Sequence, residues 1–398
     1  MNGQTGFSSP PAVLLKMQRS LCIALFTSIC LAATAQAATV APPPGPQSTA
    51  YVSVYGADAN SCSRFNPCRT LIGALANVIP FGTVTFLDTG NFSLATCKSF
   101  GSTNLICPIS IQNPVTINTA PGVQAELDFS ASTFPGANTA IAVTTGPVVI
   151  NGLTIKNTTK GPSLTGGPWA IYLGQGAEVQ VINCSIPLFS TAITTGLVTP
   201  DTNYATILNS QLLDNVTAID ASSGGTVVIE KTLIQGSSLG VHAGNGAQVT
   251  IDDSQIVNGS NGIYVGSGNA FDPTPSTSAT TVVVRNSLLT GLNGPGTTGL
   301  YVAAEPPSLN SDVEVTGSTV SFFGHGLDVE GTAGLYANIS VGNSLVSQNC
   351  WGFFNGPGGG SYINSFLNNT LRDNGVYGPG CPAGGGDASG TITAISLQ

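Results

Sequence analysis

An eight-residue phrase recurs along this chain, and it leaves few folds open. The phrase reads apolar, any, apolar, any, Asn-like, small, any, apolar. It occupies Val148–Ile155, Val179–Ile186, Ala205–Leu212, Val227–Ile234, Val249–Ile256, Val282–Leu289, Val313–Val320 and Ile339–Val346, with a degenerate copy over Ser365–Arg372. The last residues of the first eight copies lie 31, 26, 22, 22, 33, 31 and 26 apart, and the longer intervals carry Gly, Pro, Ser and Thr. A second phrase, Gly-apolar-any-apolar, is usually centred seven residues after each copy, as in Gly240-Val241-His242-Ala243, Gly262-Ile263-Tyr264-Val265 and Gly326-Leu327-Asp328-Val329.

Each unit of 22 residues therefore holds three short strands joined by turns. Period-two alternation sends every second side chain inward. One unit cannot bury its apolar face alone; stacked units bury it together and pair their backbones with the rungs above and below. The expected fold is all-β: a single-stranded, right-handed parallel β-helix of about 9–11 coils. The third position of the phrase, Ile150, Val181, Ile207, Ile229, Ile251, Val284, Val315 and Val341, should point inward. So should the small sixth position, Leu153, Cys184, Ser210, Thr232, Ser254, Ser287, Ser318 and Ser344. The Asn-like fifth position, Asn183, Asn209, Asp253, Asn286 and Asn343, suits a left-handed turn, and stacked Asn side chains could satisfy turn backbone groups and each other. An apolar stretch, Leu71–Ile79, reads as a short capping helix at the N-terminal end. The Gly-rich tail and a last strand, Thr391–Leu397, would close the other end, because open rungs are aggregation templates.

Composition narrows function less than fold. Only 7% of the 398 residues are charged, against roughly 25% in an ordinary soluble domain. Coiled coils need far more Glu, Lys and Arg. A formal charge of −9 argues against nucleic-acid partners, which need clustered cations. At the N-terminus, Lys16 and Arg19 precede an apolar run, Leu21–Ala33, too short to span a bilayer. Ala35-Gln36-Ala37 follows, as at a secretory cleavage site. Met17 could serve as the start. Neither Cys22 nor Cys30 has the small preceding residue that lipidation requires, and no second apolar run of membrane length follows. The expected organisation is a signal peptide (1–37), a Pro-rich linker (38–50), an N-terminal cap with the first coils (51–114), the repeats (115–380) and a C-terminal cap (381–398). The product should be secreted or periplasmic.

Beyond the signal lie seven cysteines. An oxidising compartment favours disulfides, and proximity suggests Cys62–Cys68 and Cys97–Cys107, with Cys350–Cys381 as a third pair; other connectivities stay open. Zinc is disfavoured because the only histidines, His242 and His325, lie far from these cysteines in sequence. Cys184, at a sixth position, reads as a small buried residue.

With this pattern in view, the chain resembles the pectin lyase-like superfamily of right-handed parallel β-helix proteins. The stretch TAYVSVYGADANSCSRFNPCRTLIGAL is similar to the N-terminal cap of secreted bacterial members. The resemblance runs from residue 49 to about 380 and implies a fold more than an activity, since the superfamily holds pectate lyases, polygalacturonases and adhesins. Asp252-Asp253 and Gly324-His325-Gly326 look like two of the polygalacturonase marks. They lie on different rungs and different strand faces, however, and no Arg-Ile-Lys motif follows. Lyases of this fold use acidic calcium ligands with a basic proton acceptor, and no Lys or Arg falls on the Gly-apolar-any-apolar strands.

The resemblance implies a substrate groove over those strands. Their outward residues are Tyr172, Thr194, Asp220, His242, Tyr264, Tyr301, Asp328, Phe354 and Tyr377, and two long loops, Ser267–Thr281 and Ala303–Asp312, could wall them. Aromatic rings beside carboxylates suit a glycan platform; an ordinary stiff sheet surface would also favour aromatics. The expected binding residues are Tyr172, Asp220, His242, Tyr264, Tyr301 and Asp328, with Asp220 and His242 as the candidate acid–base pair and no cofactor or metal. The leading reading is a protein presenting a surface to a polysaccharide or cell-envelope glycan. A polysaccharide hydrolase or lyase acting on the same face, and a purely structural surface protein, are the alternatives. Cleavage should follow Ala37: mass spectrometry of exported protein should find a first residue of Ala38, and an intact N-terminus there would contradict it.

Overall fold

The computed structural model describes residues 45–94, 109–130, 139–158, 168–196, 201–221, 224–266, 279–292, 294–304, 310–332, 335–356, 359–375, 381, 385–390 and 392–395. All lie in one compact unit, Pro43–Gln398. The signal segment, the Cys97–Cys107 pair, Tyr377 and most of the two long loops lie outside the described residues.

The chain winds into a parallel β-helix with three long sheets. Sheet I holds 13 described strands and sheets II and III hold 11 each. The first half of each phrase forms sheet I, its last residues form sheet II, and the Gly-apolar-any-apolar phrase forms sheet III. One coil thus runs Gln248–Asp252, Gln255–Gly259, Asn261–Val265. Every pairing between rungs is parallel, and like positions meet like positions: Ile229 faces Ile251, and Ile251 faces Val284. Both inward positions of the phrase are sealed from solvent in the eight regular copies, whereas the degenerate last copy leaves Leu367 exposed.

The turn between sheets I and II has the expected backbone. Asn183, Asn209, Asp253, Asn286 and Asn343 all have φ between 48° and 52°. Their side chains do not form the expected regular stack. Asn183 donates to Asn151 and Asn286 to Asp252, both on the outer surface. The buried sixth position satisfies the turn instead. The N–H groups of Cys184, Ser210, Thr232, Ser254, Ser287 and Ser318 each donate to the hydroxyl of the next rung. Several of those hydroxyls donate in turn to the carbonyl two residues back, as Ser254 does to Asp252 at 2.8 Å. A side chain inside the corner reaches these groups, whereas one leaving it at positive φ does not.

Asparagines fill the corner between sheets II and III. Asn215 accepts from the Phe189 N–H and donates to the Ile186 carbonyl. Asn349 repeats this with Phe323 and Val320, and Asn374 continues the line to Asn349 and Val346. These buried amides pair backbone groups that would otherwise cost about 1–3 kcal/mol each when left unmade.

A helix packs on the N-terminal end, and a further strand extends the other. Helix Leu71–Asn77 is capped by Thr70, whose hydroxyl accepts from the Gly73 N–H, and it buries Leu71 and Ala74. The first strand, Gln47–Val52, begins ahead of Tyr51 and pairs with Val78–Phe86. At the far end, Ile392–Ile395 pairs with Ser361–Phe366. Disulfides tie both ends: Cys62–Cys68 at the cap and Cys350–Cys381 at the tail. Cys184 is free and buried, and burial pushes its thiol up to about 11.

Ile251 is fully buried while Thr250 is partly exposed. Ile251→Asp should therefore unfold the protein at a much lower temperature than Thr250→Asp, because an unpaired carboxylate is costly in the core. Equal losses of melting temperature would mean that the register is wrong by one residue. Cys184 should resist thiol reagents until the protein unfolds; rapid labelling of native protein would contradict its placement.

Candidate functional site

Sheet III carries the outward residues in one unbroken register. Tyr172 pairs with Thr194, Thr194 with Asp220, Asp220 with His242, and His242 with Tyr264. Tyr264 pairs with Tyr301, Tyr301 with Asp328, and Asp328 with Phe354. Rungs are about 4.8 Å apart, so Asp220 and Asp328, four rungs apart, are separated by roughly 19 Å. That exceeds the roughly 5–9.5 Å between the carboxylates of a glycosidase pair.

The row divides into two clusters. In the first, His242 Nδ1 lies 3.4 Å from Asp220 Oδ1. The His242 ring meets Tyr264 edge-on at 5.1 Å. Its buried Nε2 has no hydrogen-bond partner among the described residues. The second cluster centres on Tyr301 and Asp328. Tyr264 and Tyr301 lie 5.3 Å apart at 34°. The Tyr301 hydroxyl donates to Glu330 Oε2 at 2.8 Å. His325 Nδ1 and Asp328 Oδ2 are 2.5 Å apart. The His325 ring stacks on Phe354 of the next rung at 4.3 Å, and Trp351, on the same strand as Phe354, lies 6.1 Å from it. Trp169 stacks on Tyr172 at 5.7 Å at the opposite end of the row.

Asp328 departs from the expectation of an open platform residue: it is only 4% exposed. Its rung neighbours are two large rings, Tyr301 and Phe354, and His325 binds one carboxylate oxygen. The other oxygen, Oδ1, is buried with no partner among the described residues. Burial raises the Asp328 pKa above the ordinary carboxylate value, the Glu330 charge adds to the rise, and His325 opposes it. The Tyr301 phenol is also raised, first by burial and then by its bond to Glu330.

Glycines shape this face. A Cβ at Gly240, Gly262 or Gly299 would run into the carbonyl oxygen of the next rung's glycine. The pairing register passes over this position, as between Thr298–His325 and Leu300–Leu327. The residues on either side, such as His325 and Asp328, thereby reach the same outer surface. A second set of small residues follows each strand. Gly266 leaves room for the Tyr264 ring, whose Oη would lie 3.2 Å from an added Cβ. Gly356 leaves room for Glu330, whose Cγ would lie at 2.8 Å.

The sequence reading did not include Glu330, His325, Trp351 and Trp169 in the site. Glu330 was recoverable, because it stands two residues beyond Asp328 on the same strand. The other three each stand three residues before their row member, across Gly326, Gly352 or Ala170, where strict alternation would not place them. Asp252, by contrast, lies on sheet I opposite Arg285 and binds Asn286. It does not meet His325 on sheet III. Among the described residues no group of three or more His, Cys, Asp or Glu could hold a metal, and no helix is long and apolar enough to cross a membrane.

Residues 120–277 match the family described as "Right handed beta helix region". No curated protein matches the chain. Among solved structures, the catalytic domain of a GH87 alpha-1,3-glucanase in complex with tetrasaccharides is similar at TM-score 0.55 and 11% identity, over 90% of this chain and 70% of that one. A XylC–xylose complex is similar at TM-score 0.54 and 10% identity, over 83% of this chain and 86% of that one. A second GH87 alpha-1,3-glucanase complex, with nigerose, gives TM-score 0.50 and 13% identity over 90% and 70%. At such identities the likeness is one of fold. By that fold, and by the repeat that produces it, the chain is a right-handed parallel β-helix, the architecture that the pectin lyase-like resemblance implies.

Proposed function

We propose that this is an exported protein whose sheet III face binds a polysaccharide, with the chain lying across the rungs. The observation that carries the reading is the Tyr264–Tyr301 pair, flanked by Asp220–His242 on one side and Glu330 on the other. Aromatic rings cover the apolar faces of sugars, while the carboxylates and the imidazole take their hydroxyls. Stacked rungs repeat such groups at one fixed spacing, which suits a repeating ligand. The sugar complexes of the fold neighbours support the same ligand class. Two disulfides support an oxidising compartment. Three acidic groups without a lysine or arginine on these strands favour neutral glycans, cell-envelope glycans included, over polyuronates, which they would repel.

Tyr264→Ala with Tyr301→Ala should weaken glycan binding by roughly tenfold to a hundredfold, since each ring contact contributes about 0.5–1.5 kcal/mol. Both side chains lie outside the core, so the melting temperature should change little. Asp220→Asn and His242→Gln should weaken binding only modestly, because each keeps a hydrogen-bonding group. Calorimetry on all variants with one neutral oligosaccharide checks this. Unchanged affinity in the double variant would place the ligand elsewhere, and no affinity in the wild type for any glycan would favour a purely structural role.

A further inference from the structure

The N-terminal end of sheet III carries an open strand edge beside an apolar cleft. The sheet begins at Ile109–Ile111, whose one described neighbour is Thr139–Val143. The Thr144 N–H donates to the Ile111 carbonyl, so Ile109 and Ile111 turn their backbone groups towards that neighbour. Alternate residues of a parallel strand bond to opposite sides. The N–H and C=O of Ser110 therefore face the other side, where no described strand lies and no described backbone group bonds them. Helix Leu71–Asn77 stands there, and its own backbone bonds run along its axis. Between helix and strand lies a cleft of about 370 Å³, walled by Ile72, Leu75, Ile79, Pro114 and Val115 among others.

The cleft does not defend this edge. None of its walls is charged, and charged side chains commonly guard an open edge. Ile72 and Ile79 are each 40% exposed, and Phe81, whose N–H donates to the Pro114 carbonyl, is 76% exposed. The chain itself holds a cover close by. The first strand starts at Gln47, which pairs with Val78, itself a wall of the cleft. Ahead of it runs Ala38-Thr39-Val40-Ala41-Pro42-Pro43-Pro44, with no charged side chain and no aromatic ring. Extended at about 3.1 Å per residue, this segment reaches roughly 22 Å, about twice the roughly 10 Å length of the helix. Its prolines preset an extended backbone, and Pro42 pushes Ala41 the same way, so docking orders little that is not already ordered. Ala38–Ala41 keep the N–H groups that a strand edge needs.

We propose that Ala38–Pro44 docks in this cleft, Val40 innermost, and pairs its backbone with the open edge at Ser110. The inference is independent of the glycan reading. The segment adds a short strand ahead of Ile109–Ile111, as an extended peptide does at an exposed sheet edge. Period two sends Val40 into the cleft and turns Thr39 and Ala41 away from it. Attachment beside Val78 holds the segment near its site at an effective concentration on the order of millimolar. A second copy of this chain at micromolar concentration competes poorly with that. Docked, the segment denies the edge to another copy; released, it leaves an apolar end that pairs with its like.

Hydrogen exchange on the exported protein tests this, once mass spectrometry has read its first residue. The amides at positions 39, 40 and 110 should exchange at least roughly tenfold more slowly than in an unfolded chain. Val40→Asp should remove that protection at all three positions, whereas Val40→Leu should keep it. Ile72→Asp, on the cleft wall, should release positions 39 and 40 in the same way. Neither Asp variant touches the stacked core, so the amide of the fully buried Ile251 should stay protected in both. Light scattering should show Val40→Asp associating at concentrations where the wild type does not. Fast exchange at positions 39 and 40 in the wild type, Ser110 protection that survives Val40→Asp, or a first residue beyond Pro44 would overturn the docking. Wild-type Ser110 protection that disappears on dilution would seat a second copy in the cleft and overturn it as well. A Val40→Asp protein no more associated than the wild type would overturn the guarding of the edge.

Discussion

Parallel pairing between identical rungs is the constraint from which the rest of this structure follows. Each strand hydrogen-bonds to the equivalent strand one coil away, so a residue type placed once per unit becomes a row along the molecule. Ile229, Ile251 and Val284 form such a row inside, and Asp220, His242, Tyr264 and Tyr301 form one outside. A slip of one residue would exchange the two sets. Burying the apolar rows and presenting the outer row are therefore one event.

The same constraint explains the polar residues inside. Each coil must bend sharply twice between sheet I and sheet III, and each bend brings backbone N–H and C=O groups into the interior. The hydroxyls from Ser210 to Ser344 serve the first bend, and Asn215, Asn349 and Asn374 serve the second. Repetition makes both solutions continuous: one side chain serves its own coil and its neighbour. The glycines of sheet III answer a different demand. At Gly240, Gly262 and Gly299 adjacent rungs approach so closely that no Cβ fits, whereas the rungs before them carry Ala170, Ala192 and Ala218 at this position.

The sequence was most legible where period and repetition carried the information. Inward positions, the left-handed turns at Asn183 and its equivalents, the buried Cys184 and the register of the outer row from Tyr172 to Phe354 could be read directly, although Thr194 in that row is buried. The Asn stack was misassigned because identity alone does not say whether a turn side chain leaves the coil or enters it. Asp328 was placed correctly in its row and given the wrong exposure, since burial there comes from Tyr301 and Phe354 on neighbouring rungs. Glu330 and His325 are not legible in a pattern that repeats one residue per rung. The second carboxylate and the histidine belong to the same strand as Asp328 but to other rows.

The central claim is that sheet III, and no other face, receives the ligand. Hydrogen–deuterium exchange with and without a bound neutral oligosaccharide tests it most directly. The account predicts added protection in Asn261–Val265, Thr298–Ala304 and His325–Gly331, with sheets I and II of the same coils unchanged. Protection confined to strands such as Gln248–Asp252 or Gln255–Gly259 would place the ligand on another face and contradict it.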